Sequence, residues 1–156
     1  MRISPVPYDH PDAIALDELV QREYVERYGD VDLTPLDPAM FVPPRGLYLL
    51  VRDEGRPVAT GGWRVIEDEA EGYSPGDAEI KRMFVTAEAR GRGLARRLLA
   101  ALEEDARRAG RTRMVLETGL EQPEAIALYE SSGYQPTKPF GFYRDYEDSR
   151  HYAKPL

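Results

Sequence analysis

The chain has 156 residues, 42% hydrophobic and 31% charged, with a formal charge of −7, a size and balance expected to give a single domain over residues 1–156. It holds no cysteine and two histidines, which excludes disulfides, a cysteine nucleophile, thiolate metal sites and a histidine-built metal centre. No apolar run approaches the about 18 residues of a membrane helix, and residues 1–7 lack a secretory apolar stretch, so the reading is a cytoplasmic protein with no membrane partner and no bound metal.

A strand is predicted at 3–6, followed by Asp9-His10-Pro11-Asp12, residue types that open helices. The helix runs to Tyr28, is stopped by Gly29, and turns Ile14, Leu16, Leu19, Val20 and Tyr24 inward. Residues 30–46 carry Pro35, Pro38, Pro43 and Pro44 and read as an ordered loop with at most one helical turn at 37–41. Its 34–46 part, with Met40 and Phe41, is either a roof over an acceptor site or a mobile surface loop. Strands follow at 47–52 and 57–65, joined by the hairpin turn Asp53-Glu54-Gly55-Arg56, and Gly61-Gly62 marks a bulge or a close backbone approach. Residues 67–76 read as a solvated loop, 77–85 as a strand, and about 91–109 as a long helix. Leu94, Leu98, Leu102 and Ala106 share one face of that helix, and Gly110 ends it. A strand at 113–117, a helix at 123–132 closed by Gly133, and strands around 140–146 and 150–153 complete the order. Trp63 is assigned to the core and Glu103-Glu104-Asp105 to a solvated helix face. The fold class is α/β, a mixed sheet flanked by helices.

Residues 79–113 hold ten Lys/Arg against five acids, a local +5 that leaves −12 for the rest. The imbalance points to an anion held locally and a neutral or cationic second partner, and away from nucleic acid. The long helix opens with Arg90, Arg92, Arg96 and Arg97, although a helix N-terminus already carries about half a positive charge. An anion removes that conflict. Gly91 and Gly93 have no Cβ to block its approach, and successive N–H groups with arginine forks can wrap a phosphate. A dinucleotide loop is disfavoured because Arg96 occupies its third glycine position, and no Gly-Lys-Ser/Thr follows to make a P-loop.

Arg90-Gly91-Arg92-Gly93-Leu94-Ala95 resembles the Gln/Arg-x-x-Gly-x-Gly/Ala signature of the GNAT superfamily of N-acetyltransferases, with Arg90, Gly93 and Ala95 in the signature positions. Residues 78–85 resemble the family's central strand. Leu116-Glu117-Thr118, Ala125-Ile126-Ala127-Leu128-Tyr129-Glu130 and Gly133-Tyr134 resemble its second block. The resemblance implies an acyl-CoA N-acyltransferase fold, a twisted and mostly antiparallel sheet flanked by helices, with acetyl-CoA as cosubstrate. It also implies acetyl transfer to a primary amine, and pairing of two copies through the terminal strands as in many relatives. It places the cofactor's pyrophosphate on Arg90, Gly91, Arg92, Gly93, Leu94 and Ala95 and the pantetheine arm on Met83, Phe84 and Val85. Gln122, before Pro123, stands where many members have an Asn that helps hold that arm.

A neutral amine attacking a thioester needs a base, an oxyanion donor and an acid. Glu79, on the strand entering the loop, is the candidate base, its alternative role being a partner for Lys81 or an arginine. Backbone N–H groups near 83–85 are candidate oxyanion donors. Tyr129 is the candidate acid, a phenol of pKa about 10 beside an alkyl thiolate, its alternative being packing against Ile126 and Tyr134. Without a cysteine, transfer is direct within a ternary complex. The expected acceptor is a small-molecule or amino-acid-like amine. The alternatives are a non-catalytic acyl-CoA-binding module and a peptide N-acetyltransferase.

Overall fold

Side chains alternate across each strand, and here both resulting faces are covered. In β2 (Gly46–Asp53), Leu49 and Val51 enter one core and Tyr48 the other. The computed structural model describes residues 1–119 and 123–156. Among them, β1 (Arg2–Pro5), β2, β3 (Arg56–Val65), β4 (Asp77–Val85), β5 (Arg113–Gly119), β6 (Gln135–Pro136) and β7 (Ser149–Pro155) form one sheet in the order β1-β2-β3-β4-β5-β7-β6. Pairing is antiparallel except between β4 and β5, whose parallel step is made possible by the helix α2 (Leu94–Arg108) that connects them. Leu94, Leu98 and Leu102 of α2 pack with Ile80, Met114 and Leu116, joined by Ile126 of α3 (Pro123–Ser131). On the opposite face, Ala13 of α1 (Pro11–Tyr28) packs with Phe41 and Tyr48. This is the mixed α/β architecture expected from the sequence. No helix among the described residues is long and apolar enough to cross a membrane.

Local chemistry explains most element ends. His10 caps α1, its Nδ1 accepting from Asp12 N at 3.0 Å, and Gly29 ends the helix with φ 79°. The β2–β3 turn puts Glu54 (φ 49°) and Gly55 (φ 80°) both in the left-handed region, the type I′ geometry whose twist matches the flanking strands.

Five readings need correction. In α1 the buried stripe is Ala13, Leu16 and Val20, while Ile14 and Leu19 are exposed, because the sheet covers a narrower arc than the apolar residues occupy. The long helix begins at Leu94, since Gly91 and Gly93 both have positive φ and cannot be helical. Residues 140–146 are turns and not a strand. Their alternating aromatics imitate strand periodicity, but Gly141 has φ 75° and Tyr143 and Tyr146 pack edge-to-face at 4.8 Å. The 67–76 segment is not solvated throughout, because Tyr73 packs on Phe140 at 5.2 Å. In the acidic run of α2, Glu103 accepts from Tyr134 Oη at 2.7 Å and Asp105 from the buried Trp63 Nε1 at 2.8 Å, so only Glu104 faces solvent arginines.

Candidate active site

The site begins where β4 leaves β5. Their pairing runs from Asp77↔Arg113 to Glu79↔Val115 and stops. On the other side of β4, Thr60↔Phe84 is followed by Gly62↔Lys81, so β4 carries one extra residue. Arg82 lies in that bulge with φ 59°, and a bulge bends the strand and re-aims its side chains. A Cβ on Gly61 opposite it would meet Met83 Sδ, so glycine leaves room there for the Met83 side chain. The left-handed backbone at a non-glycine residue costs about 1–3 kcal/mol. The Arg82 side chain offsets this: it is 6% exposed, donates through Nη1 to Asp32 at 2.9 Å and pairs with Asp17 at 3.4 Å.

Two connected spaces result. A slot of about 70 Å³ between the diverging strands is lined by Met83, Leu116, Ala125 and Tyr129 among others. A larger cavity of about 250 Å³ lies beside it, walled by Tyr24, Tyr28, Tyr143 and Tyr146. Its lining also carries Asp30, Asp32, Glu117 and Asp148, and among the described residues no Lys, Arg or His. Tyr24, Asp32, Glu117 and Thr118 belong to both linings. Tyr143 Oη accepts from Leu33 N at 2.6 Å and ties two lining loops together. The cavity is therefore bordered by 30–33 rather than by the 34–46 segment proposed from the prolines. Phe41 of that segment is buried against Tyr8 and Tyr48 instead.

Behind the cavity a row of charged side chains crosses one sheet face. Arg64 and Glu79 are register partners, as are Glu117 and His151. Glu79 is 1% exposed. Its Oε1 accepts from Arg64 Nε at 2.9 Å and Nη2 at 2.7 Å, and its Oε2 from Tyr73 Oη at 3.0 Å. Glu79 lines neither space. Lys81 Nζ lies 3.5 Å from both Thr34 Oγ1 and Glu117 Oε1. Burial works against its charge, but Glu79, Glu117 and Asp32 outweigh it and raise its pKa. Glu117 is held differently. Burial pushes its pKa up to about 7, with Lys81 pulling down and Glu79 and Asp32 pushing up. A carboxyl that titrates near neutrality, on the wall of both spaces, can take and release a proton there. Sequence reading noted Glu117 only within the second block; the signal available was an acid inside the apolar strand Met114-Val115-Leu116.

Tyr129, the sequence candidate, lines the slot. Burial raises its pKa to about 12, so the phenol stays protonated, and its hydroxyl has no hydrogen-bond partner among the described residues. Met83 lines the same slot, while Phe84 and Val85 continue β4 beyond it. Past Val85 the chain turns through Gly91 and Gly93, where an added Cβ meets nothing within 4 Å. The N–H groups of 91–96 donate to no backbone carbonyl among the described residues. The arginines have replaceable partners: Arg90 reaches Glu23 at 2.9 Å, Arg92 Asp53 at 3.0 Å, and Arg96 Ser131 and Ser132. Open space, orphaned donors and half-exposed cations fit a pyrophosphate. Gln122 lies outside the described residues.

A family model described as acetyltransferase (GNAT) family matches residues 13–134. An "IAA acetyltransferase" of Azospirillum brasilense is 40% identical over 121 residues, covering 78% of this chain and 75% of the relative. The uncharacterized N-acetyltransferase YjgM of Escherichia coli is 33% identical over 125 residues, covering 74% and 72%. Among solved structures, a Klebsiella pneumoniae protein assigned to the acyl-CoA N-acyltransferases superposes with a TM-score of 0.80 at 31% identity, over 99% of this chain and 97% of the other. A GNAT-family acetyltransferase from Staphylococcus aureus shares the fold, with a TM-score of 0.74 at 16% identity over 99% of each chain.

Proposed function

The chain belongs to the GNAT family of acetyltransferases, and from that premise we propose that it transfers the acetyl group of acetyl-coenzyme A to a small primary amine held in the larger cavity. The observation that carries this reading is the position of Glu117, on the wall shared by the acid-lined cavity and the slot between β4 and β5. The four acids would attract an ammonium group, and the tyrosine walls would pack its apolar or aromatic body. An acceptor carboxylate would meet only like charge there.

Acetyl-coenzyme A supplies the thioester carbonyl that the amine attacks. Arg90, Arg92 and the N–H groups from Gly91 to Ala95 would hold its pyrophosphate, and the unpaired edge of β4 at Met83, with Phe84 and Val85 beyond it, would pair with its pantetheine amides. Glu117 would act as the base in place of Glu79, taking the ammonium proton. A β4 N–H near Met83 would donate to the thioester oxygen as it gains charge, and Tyr129 would protonate the departing thiolate. Glu79 keeps Arg64 and Tyr73 in place and sets the field around Lys81. Thiol release that depends on added amine, together with mass detection of an acetylated amine, tests the reaction; cofactor binding with no release for any amine would favour a non-catalytic acyl-CoA-binding module.

Two substitutions separate the parts. Arg92→Glu is expected to weaken coenzyme A binding at least tenfold in calorimetry, because a charge-assisted hydrogen bond of about 1.5–3 kcal/mol is lost. Thermal stability stays near wild type, since the Arg92–Asp53 pair is half-exposed and such pairs contribute about 0–1 kcal/mol; unchanged affinity would remove Arg92 from the cradle. Tyr129→Phe is expected to lower kcat about a hundredfold, the low end for general-acid catalysis because a thiolate leaves readily, with coenzyme A affinity retained. An unaltered kcat would return Tyr129 to a packing role beside Tyr134, 5.9 Å away.

A further inference from the structure

Glu117 and His151 stand directly opposite each other in the β5–β7 ladder, and Glu117 Oε2 lies 3.7 Å from His151 Nε2. Both atoms are buried, and neither has a hydrogen-bond partner among the described residues. An orphaned buried polar atom costs about 1–3 kcal/mol, so two that face each other call for a proton between them. Less than an ångström of closure brings the pair to an ordinary hydrogen-bond length of about 2.8 Å.

The tautomer follows from the other ring nitrogen. The Phe140 backbone favours a proton on His151. Nε2 has no hydrogen-bond partner and faces Glu117, so that proton is placed on Nδ1, and the neutral imidazole presents a lone pair at Nε2. The Phe140 ring, edge-on at 4.9 Å, packs against the imidazole. A lone pair aimed at Oε2 repels a carboxylate and accepts from a carboxylic acid. The other groups acting on the pair are Lys81 on Oε1, the negative charges of Glu79 and Asp32, the neutral phenols of Tyr24 and Tyr143, and Arg150 beside His151. Burial lowers the His151 pKa and raises that of Glu117, and both directions favour a neutral pair over an ion pair.

We propose that His151 is a positioning residue whose Nε2 accepts a hydrogen bond from protonated Glu117 and so holds the proton that Glu117 takes from the acceptor ammonium. This rests on reading Glu117 as the base. One N–H bond of the ammonium breaks and leaves its electron pair on nitrogen. One O–H bond forms on Glu117 and donates to Nε2. The proton then passes to water in the cavity, regenerating the carboxylate, and nothing is oxidised or reduced.

The protein has two histidines, His10 and His151, so nitrogen-15 labelling of histidine yields two imidazoles to resolve in the resting protein. Between about pH 6 and pH 8, His151 is expected to report the neutral Nδ1–H tautomer. Its Nε2 signal should move with a midpoint near 7 in the wild type and stay still in Glu117→Gln. An imidazolium or an Nε2–H tautomer over that range overturns the proposal. No substrate is present, so this result is independent of whether Glu117 is the base. In turnover, His151→Leu is expected to move the acidic limb of the pH–rate profile down by about one unit, the order of one lost hydrogen bond. A uniform rate loss with no shift marks a structural role and also overturns it. A wild-type profile with no limb near 7 counts against the base assignment and leaves the spectroscopic result standing.

Discussion

Glu117→Gln is expected to lower kcat/KM for acetyl transfer about a thousandfold, within the range for removal of a general base, while coenzyme A affinity stays close to wild type. Gln keeps the shape of the side chain and offers the buried His151 Nε2 a donor, but it removes a charge 3.5 Å from the buried Lys81 Nζ, so the melting temperature falls, with Glu79 and Asp32 still acting on Lys81. The pH dependence has a definite sign. The working form is the carboxylate, and burial holds the Glu117 pKa at about 7. The wild-type kcat/KM therefore rises with pH through about 7 and falls about tenfold per unit below it. In Glu117→Gln that limb is absent and the residual rate follows only the acceptor amine. A limb near pH 7 that survives the substitution assigns the base elsewhere.

The second large effect is on stability and distinguishes Glu79 from Glu117. Glu79→Ala strips the Arg64 guanidinium, 17% exposed, of both its hydrogen bonds to Oε1, and removes the acceptor of Tyr73. Breaking a buried pair by deleting one partner costs about 3–5 kcal/mol. At about 2–4 °C per kcal/mol for a chain of this size, the melting temperature should drop by about 10 °C. The acidic limb of the surviving activity should remain but move to lower pH, because Glu79 no longer pushes the Glu117 pKa up. A variant that melts like wild type but loses that limb would make Glu79 the base after all.

These two carboxylates mark where sequence reasoning reaches its limit. The strand at 77–85, the hairpin turn at 53–56 and the body of the long helix were readable because turn residues and periodicity are local signals, although the helix begins at Leu94 and not at Gly91. Gly61-Gly62 announced the bulge, although the extra residue itself falls on Arg82 of the neighbouring strand. Strand residues 140–146 were misread because Phe140, Phe142 and Tyr146 alternate like a half-buried strand, while the bond from Leu33 to Tyr143 that shapes the loop spans 110 residues. The open, arginine-rich turn from Arg90 to Ala95 was legible from its glycines and misplaced charge, and the anion cradle there is the proposal. The grounds for proposing Glu117 as the base were not legible. Glu79 looked suitable by its place before the loop, but its confinement by Arg64 and Tyr73 depends on β3–β4 register. The exposure of Glu117 to both spaces depends on where β4 parts from β5, which no short stretch of sequence records.

The proposed acceptor rests on the same geometry: a wall of four tyrosines and four acids would suit an aromatic amine that has no carboxylate. The most direct measurement is thiol release from acetyl-coenzyme A with tyramine and with tyrosine, compared under identical conditions. The account predicts release with tyramine and a kcat/KM for tyrosine lower by tenfold or more, because the tyrosine carboxylate would be set against the acids of the lining. Release with neither compound, or a preference for tyrosine, would contradict it.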